Sequence, residues 1–447
     1  MKKKLIETKY KRFAVTLILV LVQLVWLAVL LLQLYNANKY VAVAVTLLSY
    51  IFMFYILNRY DSPEIKIGWL LIILVIPVFG VLLYLLYGND KPKAILRKRL
   101  AQSQIVFSNS ITQSPSYMDE LTSDCSRAAA TNKYVLDYAG FPVYKKTQTK
   151  YYPSGEAMLT DMLEALNSAK KFIFIEYFIL EDGFMWNSIL DVLLKKAHEG
   201  VKVRIIYDDF GCIAHLPKDY YKKLESMSHN IKCLAFNPVL PLAVLSVNHR
   251  DHRKIMVIDG YIGFSGGVNL ADEYINHKSP YGHWKDNGFR IIGDAVWNFT
   301  VMFCEIWNAF YKKPIEVENF RPPAEHYFDS EDDGFVQPYC DSPMDNENVA
   351  ENVYIDILNR AEKYVYIYTP YLIIDNGMRS ALCIAAKRGV DVRIITPHIP
   401  DKKVVFRLTR ANYRPLIASG VKIYEYTPGF LHGKVWSATT PPPLSAL

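Results

Sequence analysis

The sequence predicts an α/β protein in which two duplicated α-β-α domains, each built on a mixed sheet, follow an apolar N-terminal region. Two observations predict this architecture. A strand–helix–strand pattern occurs twice within residues 169–396, and three long apolar runs precede residue 90. Apolar residues make up 51% of the chain, a high share for a soluble enzyme. The formal net charge of +7 is spread along the chain, so charge alone indicates no nucleic-acid binding.

The N-terminal region, residues 1–90, is predicted to be a membrane anchor. Its apolar runs are Phe13–Tyr35, Val41–Leu57 and Ile67–Tyr87. A transmembrane helix needs ~20 apolar residues, so the first and third runs are long enough and the second is marginal. Lysines and arginines precede the first run and follow the third, which makes both flanks cytoplasmic. Two cytoplasmic flanks require an even number of spans. We therefore expect two spans, with one of the three runs re-entrant or interfacial, or three spans if the charge rule fails here. The catalytic domains are expected on the cytoplasmic side of the cell membrane.

The segment 91–150 shows no sustained periodicity and is rich in serine and threonine, which is typical of a linker and the lead-in to a globular domain. The six cysteines of the chain are far apart and form no C-x-x-C pair. They therefore indicate buried thiols rather than a zinc site or a disulfide framework.

The repeated pattern defines two domains, predicted at 151–320 and 321–447. Each copy has an apolar strand, a helical stretch, a Gly-Val turn and a second apolar strand, as expected for a βαβ unit. Each copy also leads to a His-x-Lys motif, His252 with Lys254 in the first and His432 with Lys434 in the second. One active site at the interface between the two domains is the simplest arrangement for such a repeat.

The residues of the first motif suit chemistry at phosphorus. A histidine can attack phosphorus as a nucleophile, and a lysine supplies positive charge for phosphate oxygens. Asn269 can donate hydrogen bonds to charge that develops in the transition state, and Asp259 could orient an imidazole or hold a lysine. Two histidines can divide the work without a metal, because one attacks while the other protonates the leaving alcohol and then deprotonates the incoming one.

The full string H-x-K-x4-D-x6-G-G-x-N resembles the phospholipase D superfamily, and its surroundings resemble bacterial cardiolipin synthases. The surroundings that carry this resemblance are His283-Trp284-Lys285-Asp286, Thr369-Pro370-Tyr371 and Pro428–His432. The resemblance implies phospholipase D-type domains and the transfer of a phosphatidyl group between two phosphatidylglycerol molecules. The products would be cardiolipin and glycerol, made through a phosphohistidine and without a cofactor.

The resemblance also implies roles for individual residues. The catalytic candidates are His252, Lys254, Asp259, His432 and Lys434. The substrate-binding candidates are Gly267, Asn269, Trp284 and Asp286. We expect His252 to be the nucleophile and His432 the acid and base, although the two roles could be exchanged. Phosphatidylglycerol and membrane lipid are the expected partners, with no nucleic acid; the oligomeric state stays open.

The second motif departs from the pattern, because Thr439 stands where an aspartate is expected. Three consecutive prolines follow, and they cannot continue a central strand. We therefore expect an incomplete second domain, such as a truncation or frameshift would leave, and an unstable or poorly active chain. Two other functions remain open: a hydrolytic phospholipase D or nuclease of the same superfamily, and a catalytically impaired membrane scaffold.

Overall fold

The computed structural model describes residues 39–59, 62–88, 94–108, 110–238, 249–322, 334–341, 347–439 and 444–446, together with positions 25, 29 and 33. The chain divides into two compact units, Met1–Lys91 and Pro92–Leu447, each of which is described by itself. The predicted first apolar run lies outside the described residues except at those three single positions.

The first unit contains three described helices: α1 (Lys39–Leu57), α2 (Pro63–Val75) and α3 (Pro77–Tyr87). The third apolar run, predicted as one span, is broken at Ile76, because Pro77 has no N–H and begins a new helix. Gly80 lets α3 approach α2, since a Cβ there would lie 2.7 Å from the Cα of Ile73. Within the described ranges, no helix has both the length and the apolar character needed to cross a bilayer, so the predicted spans are not confirmed.

The second unit begins with a half built on a seven-stranded mixed sheet, in the order β1-β8-β6-β5-β2-β3-β4. Strands β2, β3 and β4 are parallel, and the others alternate in direction. Its strands are β1 (Thr147–Tyr152), β2 (Phe172–Tyr177), β3 (Lys202–Asp208), β4 (Ile231–Phe236), β5 (Ile255–Ile258), β6 (Ile262–Gly266) and β8 (Gly288–Gly293); β7 (His283–Lys285) lies apart from this sheet. The α/β class and the mixed sheet are thus as predicted.

Helices cover both faces of this sheet. Its helices are α4 (Ala94–Ser108), α5 (Pro115–Asp124), α6 (Ser126–Ala139), α7 (Gly155–Ser168), α8 (Phe184–His198), α9 (Asp209–Cys212), α10 (Tyr220–Met227) and α11 (Val296–Phe310), with 3-10 turns at Asp272–Ile275 and Val317–Phe320. Alternate strand residues point to opposite faces, so Ile173 and Ile175 pack with α7 and α8, whereas Phe172 and Phe174 pack with α4 and α11. This produces two apolar layers around one sheet.

The other half has a five-stranded sheet in the order β11-β10-β9-β13-β14. Its elements are α12 (Val349–Arg360), β9 (Tyr364–Tyr368), α13 (Asn376–Lys387), β10 (Asp391–Pro397), α14 (Lys403–Ala411), α15 (Tyr413–Ile417), β11 (Lys422–Tyr426), β12 (Gly429–Leu431), β13 (Val435–Ala438) and β14 (Leu444–Ala446). The order and directions match those of β4-β3-β2-β5-β6 in the first half.

The prolines after Thr439 were expected to leave the second domain incomplete, yet two segments near them belong to its sheet. Val435–Ala438 pairs antiparallel with the central strand β9, and Leu444–Ala446 forms the edge strand beyond it. An edge position is compatible with the prolines that precede it. Among the described residues, the second sheet has no counterpart of β8 and β1.

A short parallel pair, β7 with β12, joins the two halves. Gly429 lies opposite His283 and Leu431 opposite Lys285. A Cβ at Gly429 would lie 2.2 Å from the carbonyl oxygen of His283, so the close approach of the two strands requires glycine. This junction carries Asp286 from one half and His432 from the other to the same place.

Candidate active site

The two His-x-Lys motifs occupy equivalent positions in the two sheets. His252 and Lys254 lie just before β5, and His432 and Lys434 lie just before β13. Since β5 and β13 run antiparallel to β2 and β9, both motifs are at the carboxyl ends of those parallel strands. Ligands of open α/β sheets bind at this edge. The fold therefore brings the motifs to corresponding edges that meet at the β7–β12 junction.

Each lysine folds back onto its own histidine. Lys254 Nζ donates to the carbonyl oxygen of His252 at 2.6 Å and lies 3.3 Å from its Nδ1. Lys434 Nζ donates to the carbonyl oxygen of His432 at 2.9 Å and lies 3.2 Å from its Nε2. The same local geometry in both motifs indicates that the spacing of two residues is what places each ammonium beside its imidazole.

Burial lowers the pKa of Lys254 to about 7, and repulsion by Lys434 contributes. Burial likewise lowers the pKa of Lys434 to about 8, against an opposing effect of Asp286. Two buried ammonium groups whose pKa values are both lowered form a site suited to an anion, whose charge would stabilise both cations.

The two imidazoles differ in their surroundings. Although His252 keeps an exposed edge at the mouth of the site, burial of the rest of the ring lowers its pKa, and Lys254 and Lys434 lower it further. His432 is buried, and burial and Lys434 lower its pKa while Asp286 opposes the shift. Without a bound anion, both rings are therefore neutral near neutral pH.

A carboxylate orients only one of these rings. Asp286 Oδ2 lies 2.7 Å from His432 Nδ1, and Asp286 is itself fully buried. The backbone N–H of His432 also donates to the carbonyl oxygen of Lys285 at 2.7 Å. In the part of the chain that the structure describes, no carboxylate hydrogen bonds to His252. Asp286 belongs to the first half and His432 to the second, so this pair crosses the junction.

The predicted substrate-binding residues Trp284 and Gly267 support Asp286. Trp284 Nε1 donates to Asp286 Oδ2 at 3.4 Å, and the N–H of Asn287 donates to Oδ1 at 2.9 Å. A Cβ on Gly267 would lie 2.0 Å from Asp286 Oδ1. Glycine at 267 is therefore required by the carboxylate that holds His432.

A cavity of about 250 Å³ opens beside the first motif. Its lining includes the basic side chains of His252, Arg253, Lys254 and Lys434 and the apolar side chains of Phe289, Phe299 and Met302. No cluster of three or more metal-binding side chains occurs within the described ranges. Lysines of both halves therefore line one cavity.

Several known proteins are similar to this chain. The family model described as "Cardiolipin synthase, PLD-like domain" matches residues 162–281 and 354–439, and a phospholipase D-nuclease N-terminal model matches 44–89. A cardiolipin synthase of Alkalihalophilus pseudofirmus is 32% identical over 380 residues, covering 85% of this chain and 74% of the relative. The chain belongs to the cardiolipin synthase family of the phospholipase D superfamily.

One further relative agrees with this assignment, and another protein is similar over most of the chain. A cardiolipin synthase of Halalkalibacterium halodurans is 32% identical over 398 residues, covering 88% of this chain and 78% of its own length. An uncharacterized protein of Streptococcus mutans is 42% identical over 388 residues, covering 86% and 82%. Membership in this family makes the chain a phosphatidyltransferase.

Asp259 does not orient an imidazole in this family member. Its carboxylate accepts hydrogen bonds from the backbone N–H groups of Lys170, Lys171 and Phe172 at 2.7–2.8 Å. The residue adopts a positive φ of 51° in the turn between β5 and β6. Asp259 therefore ties that turn to the start of β2, at the edge of the sheet opposite His252.

Thr439 stands at the position of the second half that is equivalent to Asp259. The N–H of Thr439 donates to the carbonyl oxygen of Tyr364, and its own carbonyl oxygen accepts from the N–H of Glu362. Backbone groups thus tie the equivalent turn of the second half. The threonine therefore stands where the first half has a carboxylate that accepts backbone hydrogen bonds, and backbone groups alone tie this turn to the start of β9.

Asn269 was expected to donate to the reacting phosphate, yet its side chain is occupied. Its Oδ1 accepts from the N–H of Ile179 at 3.1 Å, and its Nδ2 donates to the hydroxyl of Tyr274 at 2.8 Å. The ring of Tyr274 meets that of His432 edge-on, with 5.4 Å between centroids. Asn269 therefore positions the aromatic wall beside His432.

Sequence reasoning missed Asn287 and Phe178. Asn287 Oδ1 accepts from the N–H of Lys434 at 3.0 Å, and a Cβ on Gly433 would lie 2.7 Å from that oxygen. The ring of Phe178 lies 4.7 Å from that of His252. Asn287 directly follows the Trp-Lys-Asp element, and that position in the sequence could have pointed to it. No comparable sequence pattern pointed to Phe178.

Proposed function

We propose that this protein is a cardiolipin synthase that transfers a phosphatidyl group from one phosphatidylglycerol to another through a phosphohistidine on His252. The observation that carries the proposal is the hydrogen bond between Asp286 and His432, which crosses the two halves and completes one of two His-Lys pairs around a shared cationic site. Two imidazoles with unequal surroundings suit a nucleophile and an acid–base group.

In the first step, a ring nitrogen of His252 attacks phosphorus and forms the N–P bond. The P–O bond to the glycerol headgroup breaks, its electron pair goes to the glycerol oxygen, and His432 gives that oxygen a proton. The lowered pKa of His252 supports its role, because the ring offers a free lone pair at neutral pH.

His432 needs a proton before it can act as an acid. The anionic phosphate of the substrate offsets the repulsion that Lys434 exerts on the ring, and Asp286 stabilises the imidazolium. Lys254 and Lys434 then stabilise the charge on the phosphoryl oxygens as the transition state forms.

In the second step, the terminal hydroxyl of another phosphatidylglycerol gives its proton to neutral His432 while its oxygen attacks phosphorus. The N–P bond breaks, and its electron pair returns to His252. Cardiolipin leaves, and both imidazoles regain their starting protonation states. The overall reaction consumes two phosphatidylglycerols and releases one glycerol, without an added energy source.

We also place this reaction at the cell membrane, where a diacyl substrate resides. The match of residues 44–89 to the N-terminal family model supports that placement, as does the apolar composition of α1, α2 and α3. A cytoplasmic orientation of the catalytic half follows from the basic flanks of the apolar region and is part of the same proposal.

Incubation of the purified full-length chain with phosphatidylglycerol tests the function. Cardiolipin and free glycerol in equal amounts support transfer, phosphatidic acid and glycerol without cardiolipin would identify a hydrolase, and unchanged lipid would indicate a non-enzymatic scaffold. A His252→Ala variant prepared in parallel serves as the control, since it should form no cardiolipin.

A further inference from the structure

We propose that α14 and the turn after it lie on an anionic lipid bilayer, so that the mouth of the active site opens onto the membrane surface. The proposal rests on the proposed function for the identity of the lipid substrate. It adds the surface through which a diacyl lipid would reach the site.

An apolar stripe runs along the outside of this segment. Val404 is 72% exposed and Leu408 is 52% exposed. Ala411, the last residue of α14, continues the stripe and is exposed. Val404, Leu408 and Ala411 are separated by four and three residues, a spacing that places them on one helix face. Pro415, in the next helix α15, is also exposed. Exposed aliphatic side chains aligned on one face indicate a surface that another apolar phase covers.

A basic stripe follows the apolar one at an offset of a single residue. It consists of Lys403, Arg407, Arg410 and Arg414, all exposed. Arg410 pairs with Glu425, whereas the other three form no ion pair with any residue that the structure describes. No acidic residue occurs between positions 402 and 414. The outer surface of α14 is therefore both apolar and strongly positive.

The inner surface of α14 is anchored, which sets the direction of both stripes. Thr409 is fully buried, and its hydroxyl accepts from the N–H of Leu372 at 3.1 Å. Asn412 Nδ2 donates to the carbonyl oxygen of Leu372 at 2.9 Å. These contacts turn Val404 and Leu408 away from the protein.

The segment lies at the active-site edge of the sheet. It follows the carboxyl end of β10, next to β9, whose own carboxyl end is at His432. Just before α14, Lys402 Nζ lies 3.4 Å from the hydroxyl of Tyr371. The Tyr371 ring is 6.4 Å from that of Phe430, which is 6.0 Å from His432. A short chain of contacts thus links the stripes to the catalytic histidine.

The first half carries a corresponding apolar rim. Helix α9 follows the carboxyl end of β3, the counterpart of β10, and exposes Phe210. Ile213, directly after α9, is 53% exposed. Gly211 lies against the carbonyl of Phe178, whose ring contacts His252. Exposed apolar side chains therefore flank both histidines.

The positive charge of this surface favours anionic phospholipid as its binding partner. A helix with aliphatic residues beside lysines and arginines fits the boundary between acyl chains and negative headgroups. A second copy of this chain would have to offer acidic side chains to the basic stripe, and that alternative is an outcome of the test.

The first experiment measures depth in the bilayer. Leu408→Cys is labelled with a fluorophore in the full-length chain after the partly exposed Cys125, Cys340 and Cys383 are replaced by alanine. Lys363→Cys is the control, because Lys363 precedes β9 at the opposite sheet edge. In vesicles of phosphatidylcholine with phosphatidylglycerol, brominated lipid should quench the label at 408 and leave the label at 363 unchanged. Equal quenching at both positions, or quenching at neither, overturns the proposal.

The second experiment removes charge. Lys403→Gln, Arg407→Gln and Arg414→Gln together should weaken association of the segment with anionic vesicles by roughly fivefold per charge. Lys170→Gln, Lys171→Gln and Lys363→Gln remove the same charge at the opposite edge and should have no effect. The first triple variant should also lose rate on vesicle substrate but keep its rate on a short-chain soluble phosphatidylglycerol. Equal losses on both substrates contradict a docking role.

The two proposals fail in different ways. Quenching at 408 without any lipid conversion leaves docking intact and removes the proposed function. Cardiolipin synthesis without quenching does the reverse. Crosslinking through position 408 that depends on protein concentration but not on lipid would assign the surface to a second copy and overturn the lipid proposal.

Discussion

Asp286 Oδ2 lies 2.7 Å from His432 Nδ1, although the two residues are 146 positions apart in the chain. Asp286 reaches this place at the end of β7, and His432 at the end of β12. Because those strands pair with each other, the β7–β12 junction sets the distance between the carboxylate and the imidazole. The site therefore depends on the assembly of both halves.

Replacement of Asp286 by asparagine should lower kcat by about 10–100-fold, as expected for loss of a carboxylate that orients an imidazole. Asp286 raises the proton affinity of His432, so its loss depletes the acid form of the ring. The fold-loss in rate should therefore grow as pH rises. A pH–rate profile of Asp286→Asn against the parent measures this, and a loss that is uniform at all pH values would assign Asp286 a structural role only.

Gly267→Ala should reproduce the defect of Asp286→Asn although it replaces no charged residue. The added Cβ would lie 2.0 Å from Asp286 Oδ1, and the buried carboxylate has to move away from His432. Gly334→Ala is the matched control, since a Cβ there meets nothing within 4 Å. If Gly267→Ala keeps the parent kcat, Asp286 can shift without consequence and its role is smaller than argued.

The roles of the two histidines should become distinguishable when the leaving group of the substrate changes. A phosphatidyl ester of p-nitrophenol releases an anion that needs no proton, so His432→Ala should keep a burst of p-nitrophenol from the first step. On phosphatidylglycerol the same variant should lose about 10²–10⁴-fold in rate. His252→Ala should show no burst with either substrate, because no phosphohistidine can form. If only the His252→Ala variant kept the burst, His432 would be the nucleophile and His252 the acid and base.

Asp259→Ala should destabilise the protein and spare the chemistry. The carboxylate accepts three backbone hydrogen bonds in a buried turn, and their loss should cost about 1–3 kcal/mol. We expect a lower Tm with most of the transfer rate retained at low temperature. Asp286→Asn, measured side by side, shows how the loss of a carboxylate near the catalytic histidine differs from the loss of a structural one. A selective loss of kcat in Asp259→Ala would instead assign Asp259 a role in catalysis.

Lys254 should make stability depend on pH. Burial lowers its pKa to about 7 in the folded protein, whereas an unperturbed lysine in the unfolded chain has a pKa of 10.5. Between these values the unfolded chain binds more protons, so the free energy of unfolding should rise with pH in that interval. Lys254→Met should flatten this rise and stabilise the protein by about 1–4 kcal/mol at neutral pH, while transfer is lost. Thermal unfolding across that interval, with the exposed-lysine variant Lys171→Met as the comparison, checks both the sign and the size.

Local patterns predicted the framework of the fold well. The continuous apolar runs at 172–175 and Ile255–Ile258 became buried central strands, because a strand covered on both faces favours apolar side chains. The sequence also identified both His-x-Lys motifs, and in each of them the lysine lies beside its histidine. Pro77 also indicated that the third apolar run could be broken, yet the length of that run favoured a single span.

The sequence by itself determined which reactive side chains this protein carries, their two-residue spacing and the strands that hold them. Only the tertiary structure decided which carboxylate serves which group. Asp259 is five residues from Lys254 but bonds to the backbone before β2, whereas the distant Asp286 holds His432. The physical reason is that a strand and its turn set directions over a few residues. Pairing across two halves depends on a junction that no local pattern describes.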